Sequence, residues 1–442
     1  MIKLHDSFIN NLESVIGGEN IASFLEALEL EPKSSIRKNP FKDIGDTIKG
    51  TPIEWCKEAL RLDERFSFTL DPLFHSGCYY VQESSSMFIE PLLKYAIGDR
   101  KSGLRVLDLC AAPGGKTTHI ASLIGAENML VSNEVIVSRS NVLKENVIKW
   151  GCGNIVVTNS DPHAFSSLTS FFDIVVVDAP CSGEGMFRKN EKARSEWSPK
   201  NVELCHQRQQ RILADAWEAL APNGFLIYST CTFNRRENEE QVEWLEQEMG
   251  GTMVNLDIPL FHKVIKSDKG FRFHPDKVEG EGFFVSMVQK GDCALRKEKK
   301  RITKKLPKAM TIEKLSDKNV IFTTFNGLTY IINSSLEEDI AILNEKLDMI
   351  YFGIEAGQML HDTLKPSHAL SLYYKLPEEA YPHVEVPLEM ARQYLRKKDI
   401  DPSMFNDGYN IVTYKGKSIG FVKKIGKRVN NLYPKESRIM HL

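Results

Sequence analysis

Short apolar runs that alternate with helical stretches dominate the middle of the chain. Five such runs occur between residues 96 and 290, and each ends in turn residues: Leu104–Leu109, Met129–Val131, Ile155–Val157, Ile174–Val177 and Phe225–Tyr228. Near-continuous runs of Val, Ile and Leu are typical of strands that are buried on both faces. Because the strands alternate with helices, the pattern predicts an α/β domain with a parallel sheet over residues 96–290.

Residues 1–95 have a different pattern, in which amphipathic helical stretches alternate with turns. One such helix would place four apolar side chains on a single face, those of Ile21, Phe24, Leu25 and Leu28. Pro and Gly residues between positions 40 and 52 argue against one long helix. We therefore expect a separate helical region at the amino-terminal side of the α/β domain.

The segment after the α/β domain is basic and then rich in β-like pieces. Residues 291–310 carry eight Lys and Arg residues between Arg296 and Lys308, which indicates either a solvated linker or an arm that contacts phosphates. Residues 311–442 contain strand-like pieces at Val320–Thr323 and Tyr409–Tyr414, and a second basic cluster extends from Lys415 to Arg428. We expect a small β-rich module here.

Composition and charge narrow the classes of protein to which the chain can belong. Of 442 residues, 42% are hydrophobic and 26% are charged, the balance of a soluble globular protein. Because 57 Lys and Arg residues face 59 Asp and Glu residues, binding of nucleic acid through bulk positive charge is excluded, whereas local basic patches are not. No run of about 18 apolar residues predicts a membrane span, and the first residues lack the pattern of a secretory signal. We expect a cytoplasmic protein.

A glycine-rich turn follows the first apolar run of the α/β domain. The run leads through small residues to Gly114 and Gly115 and then into a helical stretch. Glycine lets a ligand approach the backbone closely, and a helix amino terminus offers free N–H groups. Glu134 follows Gly115 by 19 residues, where α/β folds place an acid that binds ribose hydroxyls. Since the turn matches neither G-x-G-x-x-G nor a P-loop, we predict a site for another nucleoside-type cofactor.

Two further acids follow apolar runs of the same domain. Asp161 comes after the run at 155–157, and Asp178 ends the run at 174–177. Either acid alone is better explained as a helix cap or a loop charge. Because open α/β sheets bind ligands at the carboxyl ends of their strands, three acids at equivalent strand ends indicate a site.

The eight cysteines of the chain include two that stand out by position. The cysteines form no C-x-x-C pair and no Cys/His cluster with zinc spacing, so the sequence predicts neither a disulfide framework nor a metal site. Most are interpreted as small buried apolar residues. Cys181 and Cys231 each lie just beyond a predicted buried strand, at the edge of the sheet where the cofactor is predicted.

A nucleoside-type cofactor, a carboxyl group and a thiol together suit methylation of a pyrimidine at carbon 5. A thiolate that adds to carbon 6, with a proton or hydrogen bond at N3, turns the ring into an enamine that can accept a methyl group at carbon 5. Removal of the carbon-5 proton then expels the thiol, so that covalent catalysis is combined with acid–base steps.

Three segments resemble the signature of the Nol/Nop/Sun family of RNA (cytosine-5) methyltransferases. They are the residues CAAPGGK at 110–116, DAPCSGEG at 178–185 and Ser229–Cys231. The resemblance implies a Rossmann-like domain that uses S-adenosylmethionine, with Cys231 as the nucleophile and Cys181 assisting release of the methylated RNA. It also implies a set of cofactor contacts: Cys110, Ala111, Ala112, Pro113, Gly114, Gly115, Lys116, Glu134, Asp161 and Asp178.

The flanking segments are similar to the bacterial RsmF subgroup of this family, whose members methylate small-subunit rRNA. Residues 183–189 and two pieces of the tail, at 416–420 and 430–434, carry this similarity. It implies an RNA-binding region over 1–95 and a PUA-like RNA-binding region over 311–442. The sequence departs from the subgroup at Lys149, where an arginine is more frequent, and at 395–398, where a glycine is expected.

The substrate is thus predicted to be small-subunit rRNA or the assembled small subunit, methylated by a monomeric enzyme without a metal. Two alternatives remain open from the residues. In a tRNA or DNA cytosine-5 methyltransferase the chemistry would be the same, and in the DNA enzymes the nucleophile would be Cys181. A non-catalytic RNA-binding protein of ribosome assembly would keep the fold alone.

Overall fold

The computed structural model describes residues 4–256, 261, 263–292, 305–315 and 318–440. Most of the basic connector, from residue 293 to residue 304, lies outside the described residues, and so does Cys293. None of the helices in the described part of the chain is both long and apolar enough to cross a membrane.

The amino-terminal region combines helices with an antiparallel sheet. Its elements are α1 (Asp6–Ile16), α2 (Ile21–Leu28), β1 (Ser35–Lys38), β2 (Gly50–Ile53), β3 (Cys56–Leu62), α3 (Pro72–His75) and β4 (Tyr79–Val81). The four strands are ordered β2-β3-β1-β4. The amphipathic helix predicted around Phe24 is confirmed, but the description of the region as helical is incomplete. Its strands are only three to seven residues long, too short for a period-two pattern to stand out.

The α/β domain follows, and its elements alternate as the apolar runs predict. They are α4 (Ile89–Ile97), β5 (Arg105–Asp108), α5 (Gly115–Ile124), β6 (Met129–Asn133), α6 (Val137–Trp150), β7 (Ile155–Thr158), β8 (Phe172–Asp178), α7 (Glu191–Glu196), α8 (Pro199–Ala219), β9 (Leu220–Thr230), α9 (Glu239–Gln247), β10 (Gly251–Met253), β11 (Ile265–Lys266), β12 (Phe271–Phe273) and β13 (Phe283–Lys290). The five predicted runs coincide with β5, β6, β7, β8 and β9.

These strands form one large sheet whose centre is parallel. The central order is β7-β6-β5-β8-β9, with every neighbouring pair parallel. On one side, β13 pairs antiparallel with β9 and extends the sheet through β12 and β11. Because the strand order changes direction between β5 and β8, a crevice opens at the carboxyl ends of these strands, where ligands bind in such folds.

The carboxyl-terminal region holds two four-stranded sheets. Its elements are β14 (Val320–Phe325), β15 (Leu328–Asn333), α10 (Glu337–Lys346), β16 (Met349–Phe352), β17 (Ile354–Leu360), β18 (Thr363–Pro366), α11 (His368–Leu372), β19 (His383–Glu385), α12 (Leu388–Leu395), β20 (Gly408–Tyr414), β21 (Lys417–Ile425) and β22 (Arg428–Asn431). One sheet is ordered β14-β15-β17-β18 and the other β19-β20-β21-β22. The β-rich prediction holds, although two sheets replace the single module expected.

One strand of this region belongs to the large sheet. β16 pairs antiparallel with β7, so the sheet is not confined to residues 96–290. An unpaired edge at β7 would leave a row of backbone N–H and C=O groups without partners. Pairing with β16 satisfies that edge and couples the carboxyl-terminal region to the α/β domain.

The amino-terminal sheet is fastened to the α/β domain by a buried arginine. Arg37 of β1 is 1% exposed, and its guanidinium lies 4.6 Å from the ring centroid of Trp150. Its Nη2 also donates to Thr118 Oγ1 at 2.6 Å. Since Thr118 belongs to α5, this contact fixes the amino-terminal sheet against the helix that follows the glycine turn.

The expected tail glycine is replaced by a lysine that adopts the conformation of glycine. Lys397 follows α12 and has φ +56°, in the left-handed region that glycine favours. Its ammonium group donates to the backbone oxygens of Asn431 and Tyr433. The segment 395–398, which lacks the expected glycine, thus contains a lysine in the left-handed conformation.

Candidate active site

The turn between β5 and α5 is held by hydrogen bonds to its backbone oxygens. Ala112 O accepts from Arg139 Nη2, and Pro113 O accepts from Asn146 Nδ2, both at 2.8 Å. Both donors belong to α6. The peptide bond between Ala112 and Pro113 is cis. We call residues 109–116 the cofactor loop.

Gly114 is required by the shape of this loop. Its φ is +111°, a conformation that glycine adopts without strain. A Cβ atom at this position would lie 3.2 Å from Leu143 Cδ1, so even a methyl group would be tight. The loop can therefore bring its backbone close to a ligand at the amino terminus of α5.

Asp108, the last residue of β5, lies beneath the cofactor loop and was missed in the sequence analysis. It is fully buried. Thr117 Oγ1 donates to Asp108 Oδ2 at 2.7 Å, whereas Oδ1 has no hydrogen-bond partner among the described residues. Burial raises the pKa of this carboxyl from 3.8 to about 7. An orphaned carboxylate oxygen under the loop is a group that a bound ligand could satisfy.

The two other strand-end acids have different surroundings. Glu134 follows β6 and is 4% exposed. Its Oε1 accepts from the backbone N–H of Ile136 at 2.9 Å, and Arg139 approaches its Oε2 to 3.3 Å. Asp161 is exposed and accepts from the backbone N–H of His163 at 3.0 Å. It thus caps the 3₁₀ helix at 162–167, which is the role that the sequence analysis favoured for this acid taken alone.

A cavity of about 370 Å³ lies at the carboxyl ends of β5, β8 and β9. It brings together eight of the twelve predicted site residues: Cys110, Ala111, Ala112, Pro113, Gly115, Lys116, Asp178 and Cys231. Gly114, Glu134, Asp161 and Cys181 do not line it. Residues that the sequence analysis did not single out complete the wall, among them Tyr80, Glu281 and Phe283.

The two predicted cysteines are neighbours. Cys181 follows β8, Cys231 follows β9, and their Sγ atoms are 3.1 Å apart. The hydrogen bond to Cys231 and burial raise the pKa of the Cys181 thiol well above its ordinary value. Cys181 therefore holds its proton and can donate it in a hydrogen bond to the other sulfur.

Asp178 links the cysteine region to the cofactor loop. Its Oδ2 lies 2.8 Å from Lys116 Nζ, and its Oδ1 accepts from Ser229 Oγ at 2.7 Å. The Lys116 ammonium group also lies 5.1 Å from the ring centroid of Phe283. Because both oxygens have partners on neighbouring elements, the carboxylate is fixed in the wall of the cavity.

Three family models match the chain. The model for 16S rRNA methyltransferase RsmB/F matches residues 97–289, the model for the N-terminal domain of 16S rRNA methyltransferase RsmF matches residues 4–84, and the model for the methyltransferase RsmF PUA domain matches residues 381–439. Proteins named ribosomal RNA small subunit methyltransferase F are similar over nearly their whole length. The protein from Vibrio atlanticus is 30% identical over 98% of both chains. The protein from Vibrio parahaemolyticus is 29% identical over the same shares.

The chain belongs to the RsmB/F family of methyltransferases. Solved structures agree. A methyltransferase homologue from Pyrococcus horikoshii is 27% identical and superimposes with a TM-score of 0.56, covering 65% of this chain and 95% of the other. NSun6 from the same organism, solved with the S-adenosylmethionine analogue SFG, has a TM-score of 0.55. At 19% identity over 65% of this chain and 98% of the other, it supports the fold alone.

This RsmB/F-family chain is therefore a methyltransferase that depends on S-adenosylmethionine, as the resemblance implied. Its residues fit that cofactor. Gly114 has no side chain to cover the backbone of the loop, and Asp108, at the end of β5 where the loop begins, has an oxygen without a hydrogen-bond partner among the described residues. Glu134 presents a fixed carboxylate beyond the next strand, where an acid can bind ribose hydroxyls.

Two further buried carboxylates near the cysteines were not anticipated. Glu184 is 1% exposed and Glu237 is fully buried, and both accept hydrogen bonds from residues that follow the cysteines. Glu184 lies inside the DAPCSGEG segment, so its position in the motif was an available signal. No comparable signal marked Glu237, because its partners Ser182 and Gln209 are distant in sequence.

One buried group of potential metal ligands occurs among the described residues. Cys56, Glu90 and His119 place their ligand atoms within 4.8 Å of one another. His119 Nε2 lies 2.9 Å from Glu90 Oε2, the distance of a hydrogen bond. His119 Nδ1 has no partner, although a metal-bound histidine usually donates its other N–H to a neighbour. The geometry is that of a hydrogen-bonded core cluster.

Proposed function

We propose that this methyltransferase transfers a methyl group to carbon 5 of a cytosine in 16S rRNA, through a covalent bond between Cys231 and carbon 6 of the base. The observation that supports this mechanism is the pairing of Cys231 with Cys181 at 3.1 Å beside the cavity lined by Asp178 and the cofactor loop. Family membership supports the substrate.

The proposed reaction begins with the thiolate of Cys231. Its sulfur forms a bond to carbon 6 while N3 of the base receives a proton or a hydrogen bond, and carbon 5 becomes nucleophilic. Asp178 lies against the base in the wall of the cavity. S-Adenosylmethionine, when bound, supplies the electrophilic methyl group. Lys116 and Ser229 hold the carboxyl group of Asp178 throughout these steps.

We place Cys181 in the release step. Before attack, its thiol lies within hydrogen-bond distance of the sulfur of Cys231. After methyl transfer, the proton on carbon 5 passes to solvent, the double bond between carbon 5 and carbon 6 re-forms, and the bond from sulfur to carbon 6 breaks with its electron pair returning to the sulfur of Cys231. Cys181 lies beside that bond because it lies beside the sulfur.

We propose the cofactor contacts in two groups. Residues 110–116, at the cavity wall and the amino terminus of α5, would hold the methionine part of the cofactor, and Asp178 would contact both this part and the target base. Glu134 binds the ribose hydroxyls. Asp161, which lies further along the strand ends, contacts the base of the cofactor.

Local basic surfaces support an RNA partner despite the net charge. On the β20–β21 hairpin the ammonium groups of Lys415 and Lys423 lie 5.7 and 4.7 Å from the ring centroids of Tyr414 and Tyr409. Aromatic and basic groups together suit stacking on unpaired bases and contact with phosphates. We propose a monomeric enzyme that acts in the cytoplasm on rRNA or the assembled subunit. The target cytosine would be flipped out or already unpaired.

The test is transfer of labelled methyl groups to small subunits and to naked small-subunit rRNA from a strain lacking the enzyme, with tRNA and duplex DNA as comparisons. We expect label in rRNA, no label with Cys231→Ala, and a protein–RNA adduct that persists in denaturant with Cys181→Ala. An adduct formed by Cys231→Ala would reverse the roles of the two cysteines. Label confined to tRNA or DNA would overturn the substrate, and no label on any substrate would favour a binding protein.

A further inference from the structure

Glu184 binds the residues that follow Cys231. Its Oε2 accepts from Thr232 Oγ1 at 2.6 Å and from the backbone N–H groups of Phe233 and Asn234 at 2.7 and 3.0 Å. Its Oε1 accepts from Trp197 Nε1 at 3.0 Å. Glu184 itself comes three residues after Cys181, so a carboxylate from one cysteine segment holds the other segment.

Glu237 provides the reciprocal contact. Its Oε2 accepts from the backbone N–H of Ser182 and from Gln209 Nε2, both at 2.9 Å, and its Oε1 accepts from Ser182 Oγ. Gln209 Nε2 also donates to Pro180 O at 3.1 Å. Glu237 comes six residues after Cys231. It binds Ser182, which follows Cys181, and Gln209 connects it to Pro180, which precedes Cys181.

The two carboxylates are joined into one network. Asn234 Nδ2 donates to Glu184 Oε1 at 3.0 Å and to Glu237 Oε1 at 2.9 Å. The hydroxyls of Ser182 and Thr232, each one residue after a cysteine, are 3.2 Å apart. Within the residues that the structure describes, neither carboxylate forms an ion pair, so hydrogen bonds alone satisfy both. We call Glu184, Glu237 and Asn234 the carboxylate clamp.

We propose that the clamp positions the two thiols and that its two carboxylates serve different halves of the reaction. Glu184 orients Cys231 for attack, and Glu237 orients Cys181 for release. This assignment rests on the proposed roles of the two cysteines. Neither carboxylate lines the cavity, so both are positioning residues that act through the backbone beside each thiol.

The division follows from what each carboxylate holds. Removing the charge of Glu184 loosens Thr232 and the two backbone N–H groups that follow it, which shifts Cys231 relative to carbon 6. Removing the charge of Glu237 loosens Ser182, which shifts Cys181 while Cys231 keeps its own support. A displacement of about 1 Å in a reacting group can lower a rate roughly 100-fold, so each substitution should slow mainly one half-reaction.

The test compares Glu184→Gln and Glu237→Gln in single-turnover methyl transfer, in multiple turnover and in adduct trapping with rRNA. For Glu184→Gln we expect single-turnover transfer to fall roughly 10- to 100-fold without accumulation of adduct. For Glu237→Gln we expect near-normal single-turnover transfer, turnover lowered by a similar factor, and adduct that accumulates as in Cys181→Ala. Glu203→Gln, on the surface of α8 and paired with Arg236, is the matched control with unchanged kinetics.

Two milder variants keep the test decisive if a glutamine variant does not fold. Ser182→Ala should reproduce the adduct accumulation of Glu237→Gln, and Thr232→Val should reproduce the slow transfer of Glu184→Gln. A purely structural clamp would lower both half-reactions equally in all four variants, which would overturn the inference. Cys231→Ala and Cys181→Ala run in the same assay separate the two ideas, because their behaviour tests the proposed function independently of the clamp.

Discussion

The cofactor loop and the paired cysteine segments lie at the same edge of the sheet but keep their shapes by different means. The cofactor loop depends on its own backbone: Gly114 in a left-handed conformation, and carbonyl oxygens bound by the adjacent helix α6. The cysteine segments depend on two buried carboxylates about fifty residues apart in sequence, each holding the other's segment.

The difference shows which contacts hold the side chains of each region in place. The left-handed glycine is a local property of the loop, although the hydrogen bonds from Arg139 and Asn146 form only once α6 lies beside it. A reciprocal clamp exists only after β8 and β9 have paired. The two cysteine segments are thus held by side chains about fifty residues apart, whereas the cofactor loop combines a local glycine conformation with contacts to one neighbouring helix.

The largest expected effect is the change in stability when a buried carboxyl group of each region is replaced by its amide. Asp108 accepts one hydrogen bond and has an unpaired oxygen, and burial raises its pKa from 3.8 to about 7. The unfolded chain loses this proton near pH 4, whereas the folded chain keeps it to about pH 7. The stability contributed by the protonated group therefore falls as the pH rises between these values.

Asp108→Asn should consequently raise stability by roughly 1.5 kcal/mol at pH 5 and by up to roughly 4 kcal/mol at pH 8 in the absence of cofactor. Glu237→Gln should instead lower stability by roughly 1–3 kcal/mol, because the N–H₂ group of the glutamine would face the donors that bind the carboxylate in the native protein. Denaturant unfolding of both variants at the two pH values measures these changes. Stabilisation by both substitutions would show that the clamp is as poorly satisfied as Asp108, and the comparison would break.

The contrast also explains what the sequence could and could not predict. The runs that became β5 to β9 and the turn at Gly114 are contiguous patterns, and eight of the twelve predicted site residues line the cavity. The amino-terminal sheet was not foreseen, because its strands are short and Pro and Gly residues mask their alternation. Glu237 and Asp108 were not foreseen either, since what distinguishes them is burial and long-range partners that no spacing reveals.

The strand β16 illustrates the same limit at the level of the fold. A basic connector suggested that the α/β domain ends near residue 290, and the apolar residues at 349–352 gave no indication of which sheet they join. Their partner, β7, lies about 190 residues earlier. Edge pairing is decided by which backbone groups remain unsatisfied once the other strands are in place.

A smaller effect compares two glycines with left-handed backbones, Gly114 in the cofactor loop and Gly183 after Cys181. A Cβ atom at Gly114 would lie 3.2 Å from Leu143 Cδ1, whereas at Gly183 nothing lies within 4 Å. Gly114→Ala should cost about 2 kcal/mol, from backbone strain and crowding together, and should weaken S-adenosylmethionine binding. Gly183→Ala should cost about 1 kcal/mol, from strain alone, and leave that binding unchanged.

Calorimetric titration with S-adenosylmethionine and thermal unfolding measure the two effects separately. The comparison predicts that only the crowded glycine changes the Kd for the cofactor. Equal weakening by the two alanines would mean that the cysteine segment also shapes the cofactor site, and the distinction between the two regions would then be lost.

The smallest effect concerns how far the cofactor region extends along the strand ends. Asp161 is exposed and caps the 3₁₀ helix after β7, and the cap alone explains its position. Asn caps as well as Asp does, whereas Ala costs about 1 kcal/mol. If Asp161 also contacts the cofactor, Asp161→Asn should keep the thermal stability of the protein and still weaken S-adenosylmethionine binding by roughly 1 kcal/mol, about fivefold in Kd. Asp161→Ala should lower both the thermal stability and the affinity for S-adenosylmethionine.

Titration of the Asn variant is the decisive measurement, because this substitution removes the charge of the side chain and keeps the helix cap. An unaltered Kd in that variant would show that Asp161 serves only as a helix cap. The cofactor region would then end at Glu134, whose carboxylate is held by Ile136 and Arg139.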